Sequence, residues 1–364
     1  MKHFKINHKC SIKHSLGILC GFMLFFLLFM PAFAFTGCGS SKSDQGTVQE
    51  KVPYITRTDF LLNTVVTVNL YDKQDEAILD GCFDLISKYE NIYSANSETS
   101  ELYKLNNRTL PVKDEAYLIS DELSDLLKYA LYYSKLSGGV FDLSVWPLTS
   151  QWDFLSESPA VPEAAAIEAA LPYVSYEYIT LNGNEISFAK DKVGIDLGAI
   201  AKGYIADRLK DYLLSNGVNS AMINLGGNVL CVGRKPDGSP FRVGIQKPFA
   251  DRNETMAVMD IDGLSVVSSG VYERFFMADG KLYHHILDPA TGYPYDNGLI
   301  SVTIISEKSV DGDGLSTTCF ALGLEEGLAL IESLPDTYAV FITEDYQVYY
   351  SKGFKEAIPV TEQQ

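Results

Sequence analysis

The chain has 364 residues, with 47 Asp and Glu against 29 Lys and Arg, a formal net charge of -18 and 46% hydrophobic residues. That hydrophobic share excludes an intrinsically disordered chain, and the acidic balance argues against nonspecific nucleic-acid binding, which needs a basic face. The length admits one large domain or two ordinary ones.

Lys2, Lys5, Lys9 and Lys13 form a basic start with no acidic residue before Cys38, and a nearly continuous apolar run goes from Leu16 to Phe35. This pattern is a secretory signal or an uncleaved membrane helix. Phe35-Thr36-Gly37-Cys38 resembles a bacterial lipobox, with Phe35 where leucine is usual. The resemblance implies that residues 1–37 are a signal peptide and that Cys38 is diacylated, anchoring the protein to the cell membrane on its extracytoplasmic side. Two acyl chains hold stably where one is marginal. Residues 38–52 are small and polar and read as a flexible tether. Cys82, Cys231 and Cys319 remain beyond it, widely spaced among apolar residues, which suits buried thiols rather than disulfides or zinc.

From Pro53 onward there is no second linker or repeat, so residues 53–360 read as one domain. Thr64–Tyr71 reads as a strand, and apolar positions from Ala77 to Ile92 recur at helical spacing. A second helix runs from Ser120, a plausible N-cap, to Leu136 before Gly138. Pro162 opens a third, and a fourth covers Ala199 to Ser215. Strands follow at Ser220–Leu225, Val229–Val232, Phe241–Gln246, Met256–Ile261, Lys281–Ile286 and Leu299–Ile305. One helix begins near Asp313, another near Glu325, and a hairpin pairs Tyr338–Thr343 with Gln347–Ser351. Helices early and strands late predict an α+β fold, helices packed on mainly antiparallel sheets.

Five polar stretches interrupt this patterning. Ser137-Gly138-Gly139-Val140-Phe141-Asp142 is a helix C-cap, or an aspartate beside an aromatic able to hold a heteroaromatic ring. In Gly194–Tyr204 a short strand runs into a helix whose first turn carries Lys202. A cation is disfavoured at that end unless an anion is near, so Lys202 is solvated or marks a phosphate. Asn224-Leu225-Gly226-Gly227-Asn228 reads as a hairpin corner. Asp311–Thr318 is not an EF-hand, since Leu322 falls where the glutamate belongs. Asp313 and Thr317 share a helix face, where they suit Mg²⁺, although an N-cap aspartate beside an ordinary threonine fits equally. His284–Pro294 is a strand running into a tight loop, either a corner whose polar groups satisfy the turn or a functional loop.

The blocks SGGVFD, DLGAIAKGY, NLGG, VVSSGVYER, HHILDPATGYP and DGLSTT occur in the order seen in the ApbE family, which this chain resembles from about Leu62 to Gly323. The resemblance implies a T-fold-like α+β domain that transfers FMN from FAD to a threonine or serine hydroxyl of an extracytoplasmic flavoprotein, releasing AMP, with Mg²⁺ required. It implies metal binding by Asp313, Thr317 and the Ala199 carbonyl, and flavin-nucleotide contacts from Leu62, Val140, Phe141, Asp142, Asp196, Lys202, His285 and Leu287. Catalytic roles fall to Asp313, Lys202 and His285, the last as general base; alternation along the strand turns His284 the other way. Two departures touch the flavin pocket: Leu62-Asn63-Thr64 replaces Met-Gly-Thr, and Asn96 stands where an aromatic is common. The alternatives are an FAD pyrophosphatase, and a lipid-anchored flavin-binding protein without turnover.

Overall fold

The computed structural model describes residues 52–251 and 254–362. The signal segment and Cys38 lie outside the described residues.

Eight strands form the main sheet, in the spatial order Ile55–Leu61, Thr64–Leu70, Ala221–Leu225, Asn228–Val232, Ser265–Gly270, Leu299–Ser306, Tyr338–Thr343, Val348–Tyr350. Every neighbouring pair is antiparallel. Two tight hairpins set the register at one end. Leu62 and Asn63, each at φ 55°, make the first turn, and Gly226 and Gly227 the second. Asparagine tolerates that left-handed conformation and leucine pays for it. A Cβ on Gly226 would fall 2.1 Å from Thr64 Oγ1, so the two hairpin tips rest against each other.

All eight residues of Leu299–Ser306 are buried, as expected of a strand covered on both faces. Across the helical face, Ala201–Ser215 packs on Glu76–Tyr93 and on Ser309–Glu332, whose interior fills the core against Leu299–Ser306 and Ser265–Gly270. A smaller cluster, centred on Trp152, Phe276 and Leu287, sits below the His284–Pro294 loop.

The α+β reading holds, with several boundary corrections. The Asp121–Leu136 helix is capped by Ser120 as expected, its hydroxyl accepting from Leu123 N. The third helix starts at Ala164 and the fourth at Ala201. The helix expected near Asp313 begins earlier, at Ser309, and continues to Glu332 through a break at Gly323 (φ 82°, ψ -177°). Ser265–Gly270, a central strand, has no alternating pattern in the sequence. Its serines pair with other hydroxyls, buried Ser265 with Ser309 at 2.9 Å and half-buried Ser268 with Thr303 at 2.8 Å. Cys82, Cys231 and Cys319 are buried and unpaired, and burial pushes each thiol up to about 12.

Candidate active site

The site begins where the Ala201–Ser215 and Ser309–Glu332 helices touch. A Cβ on Gly203 would lie 2.3 Å from Ser309 O and 2.8 Å from Asp313 Cβ, so only glycine lets the two backbones approach. Gly203 N donates to Asp313 Oδ2 at 2.8 Å, satisfying a helix N-terminus that has no side-chain cap of its own. Lys202, one residue back, faces Asp313 Oδ1 at 3.7 Å and donates to Gly198 O at 3.3 Å. Asp313 is therefore the anion that offsets the misplaced lysine. It is 3% exposed and lies in the second turn of its helix, so the N-cap reading of Asp313 is set aside.

Thr317 lies one turn further along, its hydroxyl 3.2 Å from Ser269 Oγ, which also pairs with Ser316 Oγ at 2.8 Å. Ala199 sits just before the helix start that Asp313 caps. Among the described residues no group of three His, Cys, Asp or Glu could hold a metal ion. One carboxylate, one hydroxyl and a nearby main-chain carbonyl fit a small hard cation that completes its shell with water and phosphate oxygens. Asp313 Oδ1 stands beyond hydrogen-bond distance of Lys202, which is compatible with that use.

Two strips of loop are bound side by side next to this corner. Asn106 clamps Ile195 through both its N–H and its carbonyl, each at 2.8 Å, and Asp196 N donates to Leu143 O at 2.9 Å. The Asp196 carboxylate accepts from Gly198 N at 2.8 Å and from Thr149 Oγ1 at 2.7 Å. Asp142 is buried, and its oxygens accept from Ser144 N, Ser144 Oγ and Tyr176 N. Burial raises its pKa, and these bonds oppose the rise. Phe141 is buried edge-on against Tyr133, while Val140 O accepts from Tyr295 OH at 3.0 Å, tying this strip to the histidine loop. Phe141 and Asp142 are buried and Val140 is half-buried.

The strand ahead of the histidines ends at His284, short of the expected Ile286, so His285 lies just past the strand end. His284 is buried. Ile286 N donates to its Nδ1 and its Nε2 donates to Tyr295 O at 2.9 Å, while burial pulls its pKa down to about 4. His285 is anchored to Arg274, whose carbonyl accepts from His285 N at 3.2 Å and faces His285 Nδ1 at 3.3 Å. A carbonyl only accepts, so Nδ1 carries the proton and the Nε2 lone pair is left for other use. Burial first, then the charges of Arg274, His284 and Lys202, lower its pKa to about 3.

Arg274 also reaches the hairpin tip, donating to Asn63 O at 3.3 Å, beside Leu62, whose N–H binds Glu90 Oε1 at 2.8 Å. Leu287 packs into the small cluster with Trp152. Asp288 and Thr291 spend their side chains inside the turn, on Ala290 N and on each other, and Trp152 Nε1 binds Gly292 O. For these two, the turn explains the polarity. Asn96 is exposed.

Lys202, Asp313, Thr317 and His285 thus share one corner with the tip at Leu62, and Arg274 and Gly203 are what join them. Sequence reasoning passed over both joining residues, although each lies within a noted block, VYER and AKGY.

The ApbE family model matches residues 62–342, spanning every one of these positions. The chain belongs to the ApbE family. Among ApbE relatives, the FAD:protein FMN transferase of Klebsiella pneumoniae (strain 342) is 38% identical over 293 residues, covering 80% of this chain and 90% of the relative. That of Treponema pallidum (strain Nichols) is 32% identical over 331 residues, 85% of this chain and 90% of its own. The solved ApbE protein of Thermotoga maritima MSB8 superposes with a TM-score of 0.76 at 30% identity, covering 86% of this chain and all (100%) of that one. The flavin transferase ApbE of Vibrio cholerae gives 0.73 at 26% identity, covering 84% and 99%.

Proposed function

We propose that this ApbE-family chain transfers the FMN moiety of FAD to a threonine or serine hydroxyl of an extracytoplasmic flavoprotein, releasing AMP, while anchored to the membrane through Cys38. The observation that carries the reading is Lys202 facing Asp313 at 3.7 Å, with His285 held through Nδ1 by the Arg274 carbonyl so that its Nε2 is left open. A base, a cation and a metal-type carboxylate in one corner suit attack on a diphosphate.

His285 Nε2 takes the proton from the acceptor hydroxyl as its oxygen bonds to the FMN-side phosphorus. The bond from that phosphorus to the bridging oxygen breaks, and AMP leaves with the oxygen. Lys202 neutralises charge gathering on the leaving phosphate. Asp313, Thr317 and the Ala199 carbonyl would hold Mg²⁺, which would supply further positive charge at the diphosphate. The Arg274 carbonyl keeps the His285 ring in the tautomer that can accept.

Mass spectrometry of an acceptor protein incubated with enzyme, FAD and Mg²⁺ tests this directly. A covalent FMN adduct, lost in Asp313→Ala, is expected. Free FMN and AMP without an adduct would make the protein an FAD pyrophosphatase, and bound flavin with no AMP would make it a binder. An adduct formed by Asp313→Ala at the wild-type rate would remove the metal assignment.

A further inference from the structure

The strands Phe275–Ala278 and Lys281–His284 form a two-stranded sheet of their own, pairing Phe275 with His284, Phe276 with Tyr283 and Met277 with Leu282. Directly paired residues share a face, so the hairpin has two distinct sides. One side is inside: Phe276 and Tyr283 stack at 5.5 Å and pack on Trp152 and Phe154. On the other, Phe275 and Met277 stand 39% and 58% exposed. Leu282 and His284, on that same side, line a cavity of about 320 Å³.

The cavity has an apolar floor that includes Leu299 and Ile300, and a mouth framed by Phe249 and Tyr346, each 46% exposed. The Phe249 ring lies 5.5 Å from that of Phe275, which makes the mouth continuous with the exposed ridge. Asp296 and Glu344 also line the cavity. Lys281 approaches Asp296 at 4.0 Å, while no ion pair engages Glu344 among the described residues. Aromatic faces and a spare carboxylate around an apolar floor suit a guanidinium or ammonium on an aliphatic stem.

We propose that this ridge and cavity dock the acceptor protein, its apolar surface lying on Phe275 and Met277 and a lysine or arginine side chain entering the cavity. The inference rests on the reading that a protein is the second substrate. Connectivity favours it: Phe275 follows Arg274, whose carbonyl holds His285, and pairs with His284, the residue before the base. A protein footprint of about 800 Å² per partner covers both. Met and aromatic residues are enriched at such surfaces, and the net charge of -18 favours a basic partner.

The test uses a purified extracytoplasmic flavoprotein domain with an exposed acceptor threonine, with transfer followed by flavin fluorescence and binding followed by calorimetry. Met277→Asp and Glu344→Lys should each raise the acceptor KM at least tenfold, leaving kcat and FAD affinity within twofold of wild type. An acceptor KM within twofold of wild type in both variants would overturn the docking face. Should the wild type bind the domain without forming an adduct, a tenfold weaker binding in both variants keeps the docking face while the transferase reading falls. Binding unchanged in both would overturn it.

Discussion

Asp207 and Asp313 cap each other's helices. Asp207, on the Ala201–Ser215 helix, accepts from Ser309 N at 2.8 Å and Val310 N at 2.9 Å, at the start of the next helix. Asp313, on that helix, accepts from Gly203 N at 2.8 Å, at the start of the first. Neither helix has a side-chain cap of its own, so each supplies what the other lacks. The exchange locks the two helices antiparallel and holds Asp313 where Lys202 meets it.

Loss of the Asp207 cap should therefore cost both stability and activity. Asp207→Ala is expected to destabilise by about 2 kcal/mol, seen as a lower Tm by calorimetry, with transfer slowed because Asp313 loses its alignment. Burial raises the Asp207 carboxyl from 3.8 to about 6, against the opposing hydrogen bonds from Val310 and Ser309. A folded pKa above the unfolded one means a contribution present below 3.8 and lost as pH rises through 6. Urea unfolding should thus show wild type losing about 1.4 kcal/mol relative to Asp207→Asn between roughly pH 5 and 7.

His285→Ala should reduce kcat about 10²–10⁴-fold with FAD still bound, whereas His284→Ala should mainly lower stability by removing the bond to Tyr295 O. A base works unprotonated, and burial with the Arg274 charge lowers His285 to about 3. The pH profile of kcat/KM should therefore have no histidine-like acid limb near neutrality. Arg274→Met removes a positive neighbour, so the acid limb should move to higher pH. An inflection near 6.5 in the wild type would remove His285 as the base.

Gly203→Ala probes the helix contact without touching a polar group. Its Cβ would meet a main-chain oxygen at 2.3 Å, which cannot swing aside. Destabilisation of about 2–3 kcal/mol and a sharp fall in transfer are expected, although Lys202 and Asp313 are both intact. Wild-type Tm and rate in this variant would show that the two helices can separate without consequence.

The amino-acid sequence by itself determined the fold class and most helices and strands, and it singled out the candidate site residues. Helical spacing, the Ser120 cap and the turn glycines are local signals, readable within a few residues. It also indicated that Lys202 needed an anion, because a cation in a first helical turn opposes the dipole whatever surrounds it. Only the tertiary structure decided what that anion is. Asp313 lies 111 positions away, a pairing set by how two helices pack. The same holds for the Ser309 helix start, capped from Asp207, and for the Ser265–Gly270 strand, whose serine hydroxyls find distant hydroxyl partners. Hydrogen-bond partners remote in sequence leave no periodicity to read, and in this chain they are what assemble the site.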